Sequence, residues 1–228
     1  MRSILAIECT HHIISIAVGG DAGIVERQTD GWQKAAESIV PLIEEVLVLA
    51  GTERERLEAL VISSGPGSFT ALRIGMATAK GLAFGLGLPL LPVSTIGALG
   101  LAAMERFPDR IVVPLIPARK GEYYFSVMPP RNREPSLLQQ EVSYASVEQI
   151  GSILSRTDLD PVVVGRELDG VLEVCRVSGG DAHDADFFTA ASLLQYGEEI
   201  LRSGQWPALA EVVPEYHQNF TPHGGKKP

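Results

Sequence analysis

A strand that runs into a glycine-rich turn and out into a helix is the strongest constraint on this chain. Leu60-Val61-Ile62 is an apolar run that reads as a buried strand. Ser63-Ser64-Gly65-Pro66-Gly67-Ser68-Phe69-Thr70-Ala71-Leu72-Arg73 follows, and the small and apolar residues from Ile74 to Leu86 read as a helix. Such a unit suits a sheet with helices packed on it, and its turn can offer free backbone N–H groups to an anion. Two readings of the loop stand side by side. In the functional one, Gly65 and Gly67 let the backbone approach a phosphate, Ser68 or Thr70 adds a hydroxyl, and Arg73 reaches an anion from one turn into the helix. In the structural one, the glycines make a tight turn, Thr70 caps the helix and Arg73 forms a surface ion pair. The loop matches neither common phosphate fingerprint. No Lys-Ser/Thr pair follows the glycines, and Thr70 stands where G-x-G-x-x-G needs its third glycine.

The flanking sequence extends the α/β pattern. Ile4 to Ile7, Ile13 to Val18 and Gly23 to Gln28 read as three short strands, with a turn at Gly19-Gly20-Asp21. Ile39, Leu42, Ile43, Val46, Leu47 and Ala50 recur at helical spacing, which predicts a helix from about Trp32 to Ala50, closed by Gly51. Leu90 to Val93 reads as a strand, and Ser94 is placed to cap a helix from Thr95 to about Glu105. Residues 111–128 begin a second strand-rich block, Val162 to Val164 is a further strand, and Phe187 to Leu201 is a helix. The second half follows the first loosely in order, without a sequence repeat that establishes duplication. This divides the chain into an N-terminal lobe over 1–105, a C-terminal lobe over 106–210 and a terminal segment over 211–228, whose last residues are expected to be disordered. Pro129 to Pro135 reads as a surface loop.

Charge and composition narrow the function classes. A net charge of −9 repels a phosphate backbone, so direct nucleic-acid binding by this chain alone is disfavoured. The two cysteines, Cys9 and Cys175, do not make a disulfide framework and point to a reducing compartment. The apolar N-terminal run is too short for a secretory signal, and Lys80, glycines and Pro89 interrupt the longest apolar stretch. A cytoplasmic protein is expected.

No catalytic constellation emerges from the residues. The histidines at 11, 12, 183, 217 and 223 lack the helical spacing of paired metal ligands. His11-His12 falls in a turn between strands, with the two side chains expected to point apart, and His183-Asp184-Ala185-Asp186 reads as a polar loop. No metal site and no catalytic residue are assigned. Ala71, Gly75 and Ala79 repeat every fourth residue, and Ala77, Gly81 and Gly85 are also small. Each helical glycine costs about 1 kcal/mol relative to alanine. The helix is therefore expected to pack closely on another backbone, either a helix of the same chain or one of another subunit.

Three segments resemble the TsaB (YeaZ) family, a subunit of the bacterial machinery that makes N6-threonylcarbamoyladenosine in tRNA. They are Ile4-Leu5-Ala6-Ile7-Glu8-Cys9-Thr10; Gly65-Pro66-Gly67-Ser68-Phe69-Thr70 with Leu72-Arg73-Ile74-Gly75, Ala79-Lys80-Gly81-Leu82-Ala83 and Pro92-Val93-Ser94-Thr95; and Ala118-Arg119-Lys120-Gly121-Glu122-Tyr123-Tyr124. The resemblance is carried by residues 1–125. It implies a two-lobed actin-like ATPase fold of the sugar kinase and Hsp70 kind. It also implies a non-catalytic subunit that pairs with the paralogous transferase TsaD, with the ATPase TsaE joining them and tRNA met only through the complex. No intrinsic cofactor is implied, and ATP or ADP has a place only at the interface of the complex. Gly65, Pro66, Gly67, Ser68, Phe69, Thr70 and Arg73 would then form a nucleotide-proximal loop. Ile39, Ile43, Val46, Leu47, Ala71, Leu72, Gly75, Met76 and Ala79 would lie on the partner-interface helices.

Several positions depart from the family pattern: Glu8 for Asp, Ala35 for His, Ala71 for Gly, Pro117 for Asp, and His217-Gln218 for Leu-Arg. Each removes or alters a group that could contact phosphate or take part in catalysis. Rival readings are an actin-like small-molecule phosphotransferase, an endopeptidase, and a homodimer formed by the same helices when TsaD is absent.

Overall fold

The computed structural model describes residues 3–20, 23–30, 35–130, 141–156 and 160–217. The sequence-predicted tail from Thr221, most of the loop after Pro130, and Trp32 to Lys34 at the start of the first helix lie outside them. Two five-stranded sheets organise the chain. The first contains β1 (Ile4–Glu8), β2 (Ile13–Gly20), β3 (Gly23–Asp30), β4 (Ala59–Gly65) and β5 (Leu90–Ser94) in the order β3-β2-β1-β4-β5. Its helices are α1 (Ala35–Ala50), α2 (Phe69–Leu86) and α3 (Thr95–Arg106).

The second sheet contains β6 (Ile111–Arg119), β7 (Glu122–Phe125), β8 (Ser143–Ser146), β9 (Pro161–Gly165) and β10 (Asp181–Asp184). With α4 (Val147–Leu154), α5 (Asp169–Val177) and α6 (Ala190–Ser203), it repeats the element order of the first half. Strand order and direction repeat as well. In each sheet three antiparallel strands join two parallel ones, and β6, β7, β8, β9 and β10 take the places of β1 to β5. The duplication invisible in the residues is therefore plain in the topology. The polar stretch at His183 is an edge strand rather than a loop, because residues 181–184 pair in parallel with Val162 to Gly165. A polar, exposed edge strand lacks the apolar alternation by which strands are read.

Alternation along the central strands builds three cores. Leu5, Ile7, Leu60 and Ile62 face α1 and α2, whereas Ile4, Ala6, Ala59 and Val61 face the interior between the sheets. Val112, Ile116, Val162 and Val164 meet that interior from the second sheet, and Val113, Leu115 and Val163 face α4 and α5. A strand buried on both faces must be apolar throughout, which is why Leu60-Val61-Ile62 is unbroken. Helices α3 and α6 lie between the sheets, α6 across β1, β2, β4 and β5 of the first. Gly197 permits this approach, since a Cβ there would stand 3.2 Å from Val61 Cβ and 3.3 Å from Ile4 Cγ2. Among the described residues, no helix is long and apolar enough to cross a membrane.

Candidate functional site

The glycine loop closes onto its own chain. Strand β4 ends at Gly65, whose φ of +120° a side chain would resist. A Cβ on Gly67 would stand 2.6 Å from Thr10 Cβ, so only glycine lets the loop rest on the β1–β2 turn. The Ser68 N–H donates to Thr10 O at 2.8 Å, and the Gly65 N–H donates to Thr95 Oγ1 at 3.1 Å. Ser68, rather than Thr70, caps α2, its Oγ accepting from the Ala71 N–H at 3.5 Å. Helix α2 thus begins at Phe69, five residues before the apolar run that predicts it. Beneath the loop, the buried Glu8 carboxylate accepts from the Thr10 N–H at 2.8 Å and from the hydroxyls of Thr10 and Ser63.

The segment after α6 returns to cover this loop, a contact the sequence does not announce. The Glu215 N–H donates to Ser64 O at 2.7 Å, and Ser64 Oγ donates to Glu215 Oε1 at 2.6 Å. Arg73 Nε donates to Tyr216 OH at 3.0 Å while its guanidinium lies 3.9 Å over the Phe69 ring. Lys80 Nζ donates to Val212 O at 2.8 Å. Pro66 joins Gly65 through a cis peptide bond, and Phe69 and Thr70 are exposed at the start of α2.

The residues expected on the interface helices face inward. Ile39, Ile43, Val46 and Leu47 of α1 and Ala71, Leu72, Gly75, Met76 and Ala79 of α2 are all buried in this chain. The reason for the small-residue stripe is the sheet: a Cβ on Gly75 would lie 2.3 Å from Cys9 Sγ and 3.6 Å from Ile62 Cδ1. At Gly75 the stripe therefore packs on β4 and the residue after β1, while α2 also packs on α1 of the same chain, as the reading of a second helix within the chain expects. The outward stripe of α2 is different. Ala77, Gly81, Phe84 and Gly85 are exposed, Phe84 by 81%, and among the described residues nothing stands within 4 Å of a Cβ built on Gly81 or Gly85. On α1, Val40, Val48 and Leu49 are exposed.

A narrow cleft separates the turn after β1 from the turn after β9. Its cavity of about 30 Å³ is lined by Thr10, His11, Thr95, Pro117, Arg166 and Phe188 among others. That volume holds only about two waters. His11 Nε2 stands 3.1 Å from Glu167 Oε1, and burial, then the nearby Arg166 and His12 charges, lower the imidazole to about 4. The contact at neutral pH is therefore a hydrogen bond from neutral imidazole to carboxylate. The His11 and His12 rings lie 3.8 Å apart between centroids, so the turn brings together side chains expected to point apart. Alternation to opposite faces holds for extended strands, and residues 9–12 are outside β1 and β2.

Comparison with known proteins decides the family. A family model described as TsaD, tRNA N6-adenosine threonylcarbamoyltransferase, matches residues 25–132. The Haemophilus influenzae tRNA threonylcarbamoyladenosine biosynthesis protein TsaB is 44% identical over 88 residues, 39% of this chain and 37% of that protein. The Escherichia coli (strain K12) protein of the same description is 33% identical over 225 residues, covering 95% of this chain and 94% of that protein. The chain belongs to the TsaB family. YeaZ from Pseudomonas aeruginosa, 21% identical, superposes with a TM-score of 0.74 over 95% of this chain and 100% of that one. The chain therefore has the fold of YeaZ, and its two sheets of repeated topology agree with the duplicated architecture the resemblance implies.

Proposed function

We propose that this chain is a non-catalytic subunit of the machinery that forms N6-threonylcarbamoyladenosine in tRNA, and that it pairs with a TsaD-type transferase. The near full-length similarity to the Escherichia coli TsaB protein carries the pathway assignment. The match of residues 25–132 to the TsaD family model supports pairing with a paralogue, since duplicated folds often associate through equivalent surfaces. The non-catalytic part rests on the site. Glu8 is buried among hydroxyls, Gly65 and Ser68 spend their N–H groups inside the chain, and Glu215 sits on the loop.

The partner surface in this reading is the outer face of α1 and α2, not the buried residues beneath it. Ala77, Gly81 and Gly85 leave a shallow track for a second helix, and Phe84, Val40 and Val48 supply exposed apolar area beside it. The Gly65 to Arg73 loop sits at the N-terminus of α2, where a nucleotide at the junction would meet Phe69 and Arg73. TsaE and tRNA join through the complex, and the same face serves a homodimer in the absence of TsaD.

Reconstitution tests the reading. The cognate TsaD and TsaE, tRNA, threonine, bicarbonate, ATP and the enzyme forming the threonylcarbamoyl adenylate are combined with and without this chain. Modification that requires the chain, with no turnover by the chain alone, is the expected result. Equal modification without it refutes the proposal.

A further inference from the structure

His11, His12 and Glu167 each place one donor atom within 4.8 Å of the others. They come from different halves of the chain, the histidines from the turn after β1 and the carboxylate from the turn after β9. The geometry points to a divalent transition-metal site, of the Zn²⁺ class, that ties these two turns together at the mouth of the cleft.

Four observations support it. Two imidazoles and one carboxylate are a donor set that borderline ions such as Zn²⁺ accept, with a fourth position left for water. Ligands on tetrahedral zinc at ordinary bond lengths lie about 3.3 Å apart. His11 Nε2 and Glu167 Oε1, at 3.1 Å, already have that spacing, so an ion replaces the shared proton with little movement.

Glu167 is the one non-glycine with positive φ among the described residues, at 57°. Such backbone is sparsely populated and persists where surroundings enforce it. Here Tyr123 OH donates to Glu167 O at 2.7 Å and holds the residue in that conformation, its carboxylate toward the imidazoles. His11 Nδ1, finally, is buried without a partner among the described residues. A ligating imidazole uses its second nitrogen as a donor to an outer partner, and a water in the adjoining cavity of about 30 Å³ supplies one. The Arg166 guanidinium, anchored to Phe188 O at 2.7 Å, opposes a cation and keeps the affinity moderate.

The test is a titration of the metal-free full chain with ZnCl₂ by calorimetry, repeated with Co²⁺, whose visible absorption reports coordination number. One equivalent is expected to bind, with the intense Co²⁺ bands of a four-coordinate site. His12→Ala and Glu167→Gln are each expected to weaken binding about tenfold or more. Both side chains are exposed, so the metal-free melting temperature should not move. Hydrogen exchange of residues 8–13 and 165–169 should slow together on adding Zn²⁺. His217→Ala, which removes the imidazole 3.5 Å from Glu215, should bind as the parent does. Absence of binding up to millimolar Zn²⁺ overturns the proposal, as does binding that survives both His12→Ala and Glu167→Gln or that is lost in His217→Ala.

Discussion

At Gly75 one added carbon would stand 2.3 Å from the Cys9 sulfur, in the core between α2 and the first sheet. Gly75→Val is therefore expected to cost about 1–3 kcal/mol through overpacking, seen as a lower denaturant midpoint. An unchanged midpoint would mean that α2 sits farther from β1 than described. The same packing governs thiol chemistry. Burial, followed by the Glu8 charge, pushes the Cys9 thiol far above its usual range, and burial with Asp181 pushes Cys175 up to about 11. The thiolate is the reactive form. Both cysteines should resist a disulfide reagent at pH 8 in the folded chain and react promptly in guanidinium chloride; fast labelling of either in the native state contradicts this.

Helix α2 has two small-residue faces with different fates. The inward face, Ala71, Gly75 and Ala79, is buried within this chain, while Ala77, Gly81 and Gly85 on the outward face are exposed, and among the described residues nothing stands within 4 Å of a Cβ built on Gly81 or Gly85. Phe84→Glu is expected to weaken association with TsaD at least tenfold in a pull-down or calorimetric titration, and to leave stability within about 0.5 kcal/mol, as exposed substitutions do. Retained affinity would move the interface elsewhere. The start of α6 depends on the first sheet. Ser15 Oγ donates to Glu26 Oε1 at 2.6 Å and accepts from the Ala190 N–H, and the Ala191 N–H donates to the same Glu26 oxygen at 3.0 Å. A carboxylate at a helix N-terminus satisfies orphan donors and the helix dipole. Glu26→Gln should lower stability by about 1 kcal/mol, measured by thermal denaturation.

Across the whole molecule, the return of residues 212–217 to the glycine loop is a long-range fastening, linking Ser64 to Glu215 across 151 positions. Ending the chain after Ala210 should speed amide exchange of Gly65 to Phe69 and lower the melting temperature; identical exchange would show the segment to be idle. The sequence announces most elements of the first half, because an apolar run, a helical stripe and a Ser94 cap are local signals. It misses β8, β10, α4 and α5, which are short or polar. The family was legible because the glycine loop is a contiguous motif. Its geometry was not: that Gly67 is glycine because of Thr10, that Gly65 is covered by Glu215, and that His11 meets Glu167 across 156 positions are facts of packing. The inward burial of the expected interface residues belongs with them, since periodicity finds an apolar face without saying whether sheet or partner covers it. By itself the sequence determined the kind of elements, their order and the family. Only the tertiary structure decided the repeated sheet topology, which helix face is free and which polar groups meet at the cleft, because those depend on pairing and close packing between distant segments.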